Sequence, residues 1–291
     1  MKLSEYFTRI AYSGPYKKPD LETLSTLLEN HVTSIPYENL GTLCGEEIVL
    51  NMETVFDKMV RKNRGGCCLE HNGLFHWVLK EMGYNVKILA TRLYKLAKEK
   101  YESHPSHGFL LVTIDTKNYV ADVGFLTSYQ MRRPLELVSG KEQTQLPGTY
   151  RLTEDNSIWY LDKVKRKLCI VGQNNDNQSQ IKQLAYQKVL CFTLKPCRLE
   201  DFEGTMDYLI NSPMSFFTSL SLTCFQTTNG FKILKGTVYW EQIFNVEDGV
   251  DLRTSRTLTD EEVQRVIKKT FNLNLDKKII PVNNFTNFLL E

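Results

Sequence analysis

The first part of the chain repeats its hydrophobic positions with the period of an α-helix. Asp20 and Asn51 each stand before a run in which apolar residues recur every three or four positions, where their side chains can cap a helix. A third run begins near Cys68 and ends at Gly83, a residue type that suits a helix C-terminus. The pattern predicts helices over residues 1–83.

After Gly83 the pattern changes to short segments that are rich in β-branched and aromatic residues and separated by turn residues. These segments are 86–93, 109–114, 119–123, 158–161, 168–171 and 189–194. They predict a sheet or small barrel over residues 84–192. Residues 172–180 have no apolar side chain to bury, so they predict a solvated insertion near 165–185.

The last hundred residues mix both patterns. Residues 231–240 have the composition of a strand, and Thr259 with Glu262 forms a capping box before an apolar helical stripe. The final residues, 281–291, are apolar enough to fold back onto the body of the protein. These changes of pattern place boundaries near residues 83 and 192.

Composition and charge mainly exclude classes of partner. The chain has 291 residues and a formal net charge of +2, which gives no long-range field for nucleic acid or an anionic membrane. No stretch approaches the roughly 20 apolar residues that span a bilayer, and the N-terminus lacks the apolar core of a signal peptide. Seven cysteines without paired spacing indicate free thiols in a reducing compartment. We expect a cytoplasmic monomer without nucleic-acid or membrane partners.

The stretch RGGCCLEHN, residues 64–72, carries the strongest chemical signal. Two glycines permit a sharp turn and let a substrate approach backbone N–H groups, which could form an oxyanion hole. Cys68 follows at a helix N-terminus, where partial positive charge favours the thiolate. Cys68 is therefore the candidate nucleophile, and Cys67 is expected to be a buried apolar residue. Arg64 is expected to hold the turn through a carboxylate such as Glu38.

A nucleophilic cysteine needs a base, and the base needs an acceptor that orients it. His107 and Asp122 fit these roles on the two strands of a predicted hairpin that turns near Thr116 and Lys117. That turn pairs Asp122 with Leu111 and leaves it four residues, roughly 13 Å, from His107 along the sheet. A bulge, a strong twist or a different turn has to close the gap.

Other functions use the same residues. Zinc binding by Cys67, Cys68, His71 and His104 disagrees with structural zinc sites, whose ligand pairs are two to four residues apart, and no metal is expected. A Cys/His/Asp arrangement also serves papain-like proteases and transglutaminases. A cysteine hydrolase or a transglutaminase-like acyl transferase that does not use coenzyme A therefore stays open, as does a binding protein that retains the fold.

The motif resembles that of a known family. RGGCCLEHN is similar to the RGGxCxExN signature of the arylamine N-acetyltransferases, and His107 and Asp122 stand where that family keeps the rest of its triad. Residues 36–40, PYENL, resemble the family's P-[FY]-E-N-L segment, and the length and polar insert resemble the vertebrate members. The resemblance implies an α+β fold with a cysteine-protease-like Cys/His/Asp core. Its parts are an N-terminal helical bundle (1–83), a central β-barrel (84–192) and a C-terminal α/β lid with a tail (193–291).

The resemblance also implies an activity. Acetyl-CoA is the expected acetyl donor in a ping-pong reaction through an acetyl-cysteine, and the acceptors are arylamines, arylhydrazines or N-hydroxyarylamines. The chain has no G-x-G-x-x-G/A loop opening a helix, the feature with which another class of acetyltransferases binds pyrophosphate without a covalent intermediate. In the family the C-terminal tail approaches the active site, so deleting it is expected to change the KM for the acceptor or the donor.

Individual binding residues follow from the same resemblance. Those implied to contact coenzyme A are Ser103, His104, Gly124 and Tyr208, and those implied to line the acceptor pocket are Tyr37, Leu93, Ser106 and Phe125. Four positions depart from the family pattern. His104 and Pro105 stand where many relatives have smaller or more flexible residues that meet the cofactor phosphates. Leu126 replaces a common glycine, and Leu93 is smaller than the aromatic residue of several relatives, so the choice of acceptor is expected to differ.

Overall fold

The computed structural model describes residues 1–46, 48–164, 166–171, 186–245, 247 and 249–284. The α-helices among them are α1 Leu3–Arg9, α2 Leu21–Ser34, α3 Leu40–Leu43, α4 Met52–Phe56, α5 Cys68–Glu81, α6 Glu203–Asn211, α7 Phe216–Ser219 and α8 Asp260–Lys269. The strands are β1 Tyr37–Glu38, β2 Asn85–Lys95, β3 Lys100–Tyr101, β4 His107–Ile114, β5 Lys117–Ala121, β6 Leu135–Glu136, β7 Glu142–Gln145, β8 Gly148–Asp155, β9 Ile158–Val164, β10 Lys167–Ile170, β11 Tyr186–Cys197, β12 Leu222–Thr227, β13 Gly230–Lys235, β14 Val238–Ile243 and β15 Val250–Thr257.

The N-terminal helices begin and end where the sequence indicates. Asp20 caps α2 by accepting a hydrogen bond from the Thr23 N–H at 2.8 Å, and Asn51 caps α4. Helix α5 begins at Cys68, and Gly83 follows it with φ +91°, a conformation that favours glycine. The prediction of an N-terminal group of helices is therefore confirmed.

The central part is a nine-stranded sheet that curls into a nearly closed barrel. Its order is β6-β5-β4-β2-β11-β9-β8-β7, with β3 paired to β2. The seam of the barrel lies between its two edge strands, β6 and β7. There the Gln143 side chain on β7 bonds the backbone of β6: its amide accepts from the Glu136 N–H at 2.8 Å and donates to the Glu136 carbonyl at 2.9 Å. Gln145 bonds Arg133 in the same way. These amides satisfy edge groups that the ladder leaves open.

A second sheet of six strands has the order β1-β12-β13-β14-β15-β10 and packs with α8 in the C-terminal part. The Thr259 and Glu262 capping box at the start of α8 is confirmed. The strand signal over 231–240 corresponds to two strands, because Gly236 turns the chain with φ +57°. Two edge strands of this sheet, β1 and β10, come from earlier parts of the chain.

The hairpin that carries the candidate base turns one residue earlier than the sequence suggested. Ile114 pairs with Lys117, so the turn residues are Asp115 and Thr116, and Asp115 takes φ +53°. Asp tolerates this left-handed conformation better than Thr or Lys, which explains the position of the turn. The predicted pairing of Asp122 with Leu111 is therefore wrong: Leu111 pairs with Val120, and the offset along the sheet falls from four residues to two.

The polar insertion at 172–180 and the apolar tail from 285 onward lie outside the described residues. The three-part division stays a prediction: residue 83 lies in the turn after α5, and residue 192 lies within β11. Within the described part of the chain, every helix is too short or too polar to cross a lipid bilayer.

Candidate active site

The turn before Cys68 is packed so closely that Gly65 is required. A Cβ on Gly65 would lie 2.1 Å from the Pro36 carbonyl oxygen, well inside contact distance. Gly66 pairs with the strand β1, because its carbonyl accepts from the Glu38 N–H at 2.9 Å. The turn thus lies against β1 and delivers the chain directly into α5.

The expected pairing of Arg64 with Glu38 is present. The guanidinium donates to both carboxylate oxygens of Glu38, at 2.8 and 3.1 Å, and to Glu46 at 2.9 Å. Glu38 also accepts from the Gly65 N–H at 3.1 Å, so one buried carboxylate holds both the arginine and the turn. A bidentate pair of this kind fixes orientation as well as distance.

His107 and Asp122 meet despite their offset along the hairpin. The Nε2 of His107 lies 2.6 Å from Oδ2 of Asp122, and both side chains are buried. Because the carboxylate only accepts, Nε2 of His107 carries a proton. His107 also interacts with Cys68, whose pKa it lowers. The three residues named from the sequence therefore form one row, in which Asp122 bonds His107 and His107 interacts electrostatically with Cys68.

The electrostatics of this row favour an ion pair. A hydrogen bond from the Cys67 thiol, followed by the hydrogen bond and charge of His107, lowers the pKa of Cys68 to about 6, although burial opposes the shift. Burial alone would lower the pKa of His107, but Asp122 and Cys68 together raise it to about 10. Between these values Cys68 is a thiolate and His107 an imidazolium. Cys67 is fully buried, as expected, but sequence reasoning missed its hydrogen bond to the nucleophile.

Asn72 holds the Asp122 carboxylate, a contact that sequence reasoning missed. Its Nδ2 donates to Oδ1 of Asp122 at 2.8 Å and to the Gly108 carbonyl at 2.9 Å, and its Oδ1 accepts from the Val123 N–H at 3.0 Å. These contacts leave Oδ2 of Asp122 facing His107. The signal was available, since Asn72 closes the same motif that contains Cys68.

Two of the four expected acceptor residues line one cavity. Tyr37 and Phe125 line a narrow cavity, and the Phe125 ring meets the His107 ring edge to face at 5.1 Å. Leu93 and Ser106 do not line this cavity; both are bonded to the carboxylate of Glu102, beside the start of β4.

The expected coenzyme A residues fall in two places. Ser103 and His104 are exposed and bonded to each other, and the Thr205 hydroxyl joins their loop to α6, which carries the half-exposed Tyr208. Ser103, His104 and Tyr208 thus belong to one surface. Gly124 is buried instead: a Cβ there would lie 2.7 Å from the Cys68 carbonyl oxygen. Because Gly124 has no side chain, Cys68 can pack against the segment that follows β5.

The residues of the zinc alternative do not converge. His71 is buried against His31 and the Pro36 carbonyl, whereas His104 lies on the surface beside Ser103. Within the described ranges no three His, Cys, Asp or Glu residues form a group that could hold a metal ion.

Leu126 fits its position without strain. Its φ of −119° and ψ of 156° are ordinary extended values, and its side chain is buried in the core. The unusual conformation falls on Thr127, with φ +53°. The departure from the family glycine therefore needs no left-handed backbone at residue 126.

Comparisons with known proteins agree on one family. A family model described as N-acetyltransferase matches residues 20–280. The arylamine N-acetyltransferase, pineal gland isozyme NAT-10, of Gallus gallus is 43% identical over 97% of this chain and 98% of its own. Arylamine N-acetyltransferase 1 of Homo sapiens is 41% identical over 97% of both chains.

Solved structures of similar proteins extend the comparison to the fold. The arylamine N-acetyltransferase of M. smegmatis superimposes with a TM-score of 0.80 at 27% identity, over 94% of this chain and 93% of its own. The Mycobacterium marinum arylamine N-acetyltransferase in complex with CoA gives a TM-score of 0.79 at 26% identity, with the same two coverages. The expected α+β fold of helices, nearly closed barrel and C-terminal α/β part is confirmed.

Proposed function

This chain belongs to the arylamine N-acetyltransferase family, and we propose that Cys68, His107 and Asp122 perform its reaction through an acetyl-cysteine. The enzyme transfers an acetyl group from acetyl-CoA to arylamines. The observation that carries the residue assignment is the buried row in which Asp122 orients His107 and His107 lowers the pKa of Cys68.

The first half of the proposed cycle loads the nucleophile. The Cys68 thiolate attacks the carbonyl carbon of the acetyl-CoA thioester, and backbone N–H groups near Cys68 stabilise the oxyanion that forms. The carbon to sulfur bond of coenzyme A then breaks, and His107 gives its proton to the departing thiolate. The products are acetyl-Cys68, a neutral His107 and free coenzyme A.

The second half of the cycle transfers a proton in the opposite direction, to His107. An amine in the cavity of Tyr37 and Phe125 attacks the acetyl carbon, and His107 accepts the proton that the nitrogen loses. Cys68 leaves as a thiolate, which restores the ion pair. The same chemistry accepts arylhydrazines and N-hydroxyarylamines, because each carries a nucleophilic NH2 or OH group on the nitrogen that is attached to the aromatic ring. The surface of Ser103, His104 and Tyr208 is the proposed place for coenzyme A.

The deciding experiment is mass spectrometry of the intact protein after brief mixing with acetyl-CoA and no acceptor. We expect one added acetyl group, mapped to Cys68 and released as the N-acetyl product by an arylamine, and no adduct on Cys68→Ala. An adduct elsewhere, or none, would refute the assignment. Turnover of peptide esters without acetyl-CoA would indicate a cysteine hydrolase instead.

The proposal includes the organisation and setting of the enzyme. We place the nucleophile in the bundle (1–83) and the base and its acceptor in the barrel (84–192), with residues 193–291 as the lid. All seven cysteines are free, which supports a cytoplasmic enzyme. A monomer is expected to elute at the 33.8 kDa of one chain in size-exclusion chromatography with light scattering.

A further inference from the structure

Three buried polar side chains form a row through the apolar core beneath the active site. The Tyr6 hydroxyl lies 2.7 Å from Nδ1 of His31, and Nε2 of His31 lies 2.8 Å from Nδ1 of His71. The row ends at the Pro36 carbonyl, 3.1 Å from Nε2 of His71. Tyr6, His31 and His71 are each at most 1% exposed, and they come from α1, α2 and α5.

The carbonyl at the end of the row fixes the protons of all three side chains. Pro36 O only accepts, so Nε2 of His71 must carry a hydrogen. A neutral His71 then accepts at Nδ1, which requires the hydrogen of His31 on its Nε2. A neutral His31 accepts at Nδ1 from the Tyr6 hydroxyl. With both rings neutral, one set of proton positions satisfies every contact.

Burial keeps both rings neutral. It is the largest cause that lowers the pKa of His71 to about 4, and it also lowers that of His31, with contributions from His71 and Arg9. The proton positions are therefore settled across the neutral pH range, and the row has a fixed direction from Tyr6 to Pro36.

The row ends on the segment that shapes the acceptor cavity. Pro36 O also receives the Gly66 N–H, at 3.4 Å, and the ring of the next residue, Tyr37, lies parallel to the His71 ring within 3°. Tyr37 and His71 both line the cavity beside Phe125. Fixing the His71 ring thus fixes one wall of the cavity.

The turn before Cys68 has other supports, so the row acts mainly on the cavity wall. Glu38 holds Gly65 and Arg64, and Glu70 accepts from the Cys67 N–H at 2.9 Å. A defect in the row leaves these contacts in place. A buried polar row costs desolvation that an apolar core would avoid, which indicates a role beyond stability.

We propose that Tyr6, His31 and His71 are positioning residues that orient the Tyr37 and His71 wall for the aromatic acceptor. This inference rests on the proposed function, because it assigns the row to the second half of the same reaction. Tyr6 touches neither the cavity nor the reacting atoms, so its effect travels through the two imidazole rings.

The test compares two hydroxyl deletions, Tyr6→Phe and Tyr84→Phe. The Tyr84 hydroxyl donates to the Asp20 carbonyl at 2.8 Å, away from the row, so this control loses a comparable hydrogen bond. Two-bond ¹⁵N correlation spectra of histidine-labelled protein report which ring nitrogen carries hydrogen. Rapid quench separates acetylation of Cys68 from transfer to an arylamine.

We expect His31 and His71 to be Nε2–H forms in the unaltered protein. In Tyr6→Phe, His31 keeps its Nε2–H, because the Pro36 carbonyl still fixes it through His71, but the ¹⁵N shift of its Nδ1 moves to that of a nitrogen without a donor. We expect kcat/KM for the arylamine to fall roughly tenfold, while acetylation of Cys68 changes less than about twofold. Tyr84→Phe should match the unaltered protein in both readouts. An Nδ1–H or charged His31 or His71 at neutral pH would overturn the proposal, as would equal kinetics in the two variants. Failure of Cys68 to acetylate in the unaltered protein would instead reject the proposed function.

Discussion

Asn72→Ala should separate the stability of the site from its chemistry. The change removes three buried hydrogen bonds, to Asp122, Gly108 and Val123. We expect the free energy of unfolding to fall by about 3.5–5 kcal/mol, at roughly 1 kcal/mol for each neutral bond and more for the bond to the carboxylate. Asp122 keeps only the Gly124 N–H on Oδ1, at 2.8 Å, and its Oδ2 is free to turn from His107. The lost bond to a carboxylate is worth about 1.5–3 kcal/mol, or roughly 10- to 100-fold in rate.

The pKa of Cys68 is the direct readout of this change. A weaker hold on Asp122 lowers the pKa of His107 from about 10 and therefore raises that of Cys68 from about 6. The rate of alkylation by iodoacetamide against pH measures the second shift, and rapid-quench acetylation measures the rate. The matched control is Asn39→Ala, which also removes three buried bonds, to Leu220, Phe217 and Leu222. Equal alkylation profiles in both variants, or equal loss of acetylation, would refute the reasoning.

Three further outcomes follow from the same contacts. Because the thiolate exists above the pKa of Cys68 and the imidazolium below that of His107, kcat/KM for acetyl-CoA should rise through pH 6, stay level and fall near pH 10; a single rise near pH 9 would show an unpaired thiol. Arg64→Lys should lower the free energy of unfolding by about 3 kcal/mol in urea titrations, since a lysine cannot reproduce the bidentate bond to the buried Glu38; a loss under 1 kcal/mol would contradict this. Gly124→Ala should slow acetylation at least about 100-fold by pushing the new Cβ into Cys68, whereas Gly204→Ala, with open space around it, should leave the rate unchanged.

The sequence predicted features that depend on neighbouring residues. Asp20 and Asn51 cap helices because a capping side chain needs only the next two or three backbone N–H groups. Strand β7, with the sequence EQTQ, has no apolar alternation to find, since its glutamines serve the barrel seam instead of the core. The row from Tyr6 to His71 was equally invisible, because its members are 25 and 40 residues apart and their partners depend on tertiary packing.

The position of the triad was uncertain from the sequence for a related reason. A hairpin turn misplaced by one residue moves the opposite strand by two, and that shift decided whether His107 and Asp122 could meet. An offset of two residues remains between His107 and Asp122, and Asn72, which lies outside the sheet on α5, holds the Asp122 side chain in place across it. Cys68 and Asn72 are four residues apart on α5 and so share one helix face.

One short helical segment therefore fixes both ends of the row formed by Cys68, His107 and Asp122. Cys68 lies at its start, and Asn72, one turn later, holds the carboxylate that orients the base. Gly124 allows the strand end to approach both residues, since a Cβ there would lie 2.8 Å from Asn72 Nδ2 as well as 2.7 Å from the Cys68 carbonyl oxygen. Cys68, Asn72 and Gly124 thus pack against one another. A change at any of them should therefore move the Asp122 carboxylate and the Cys68 thiol together.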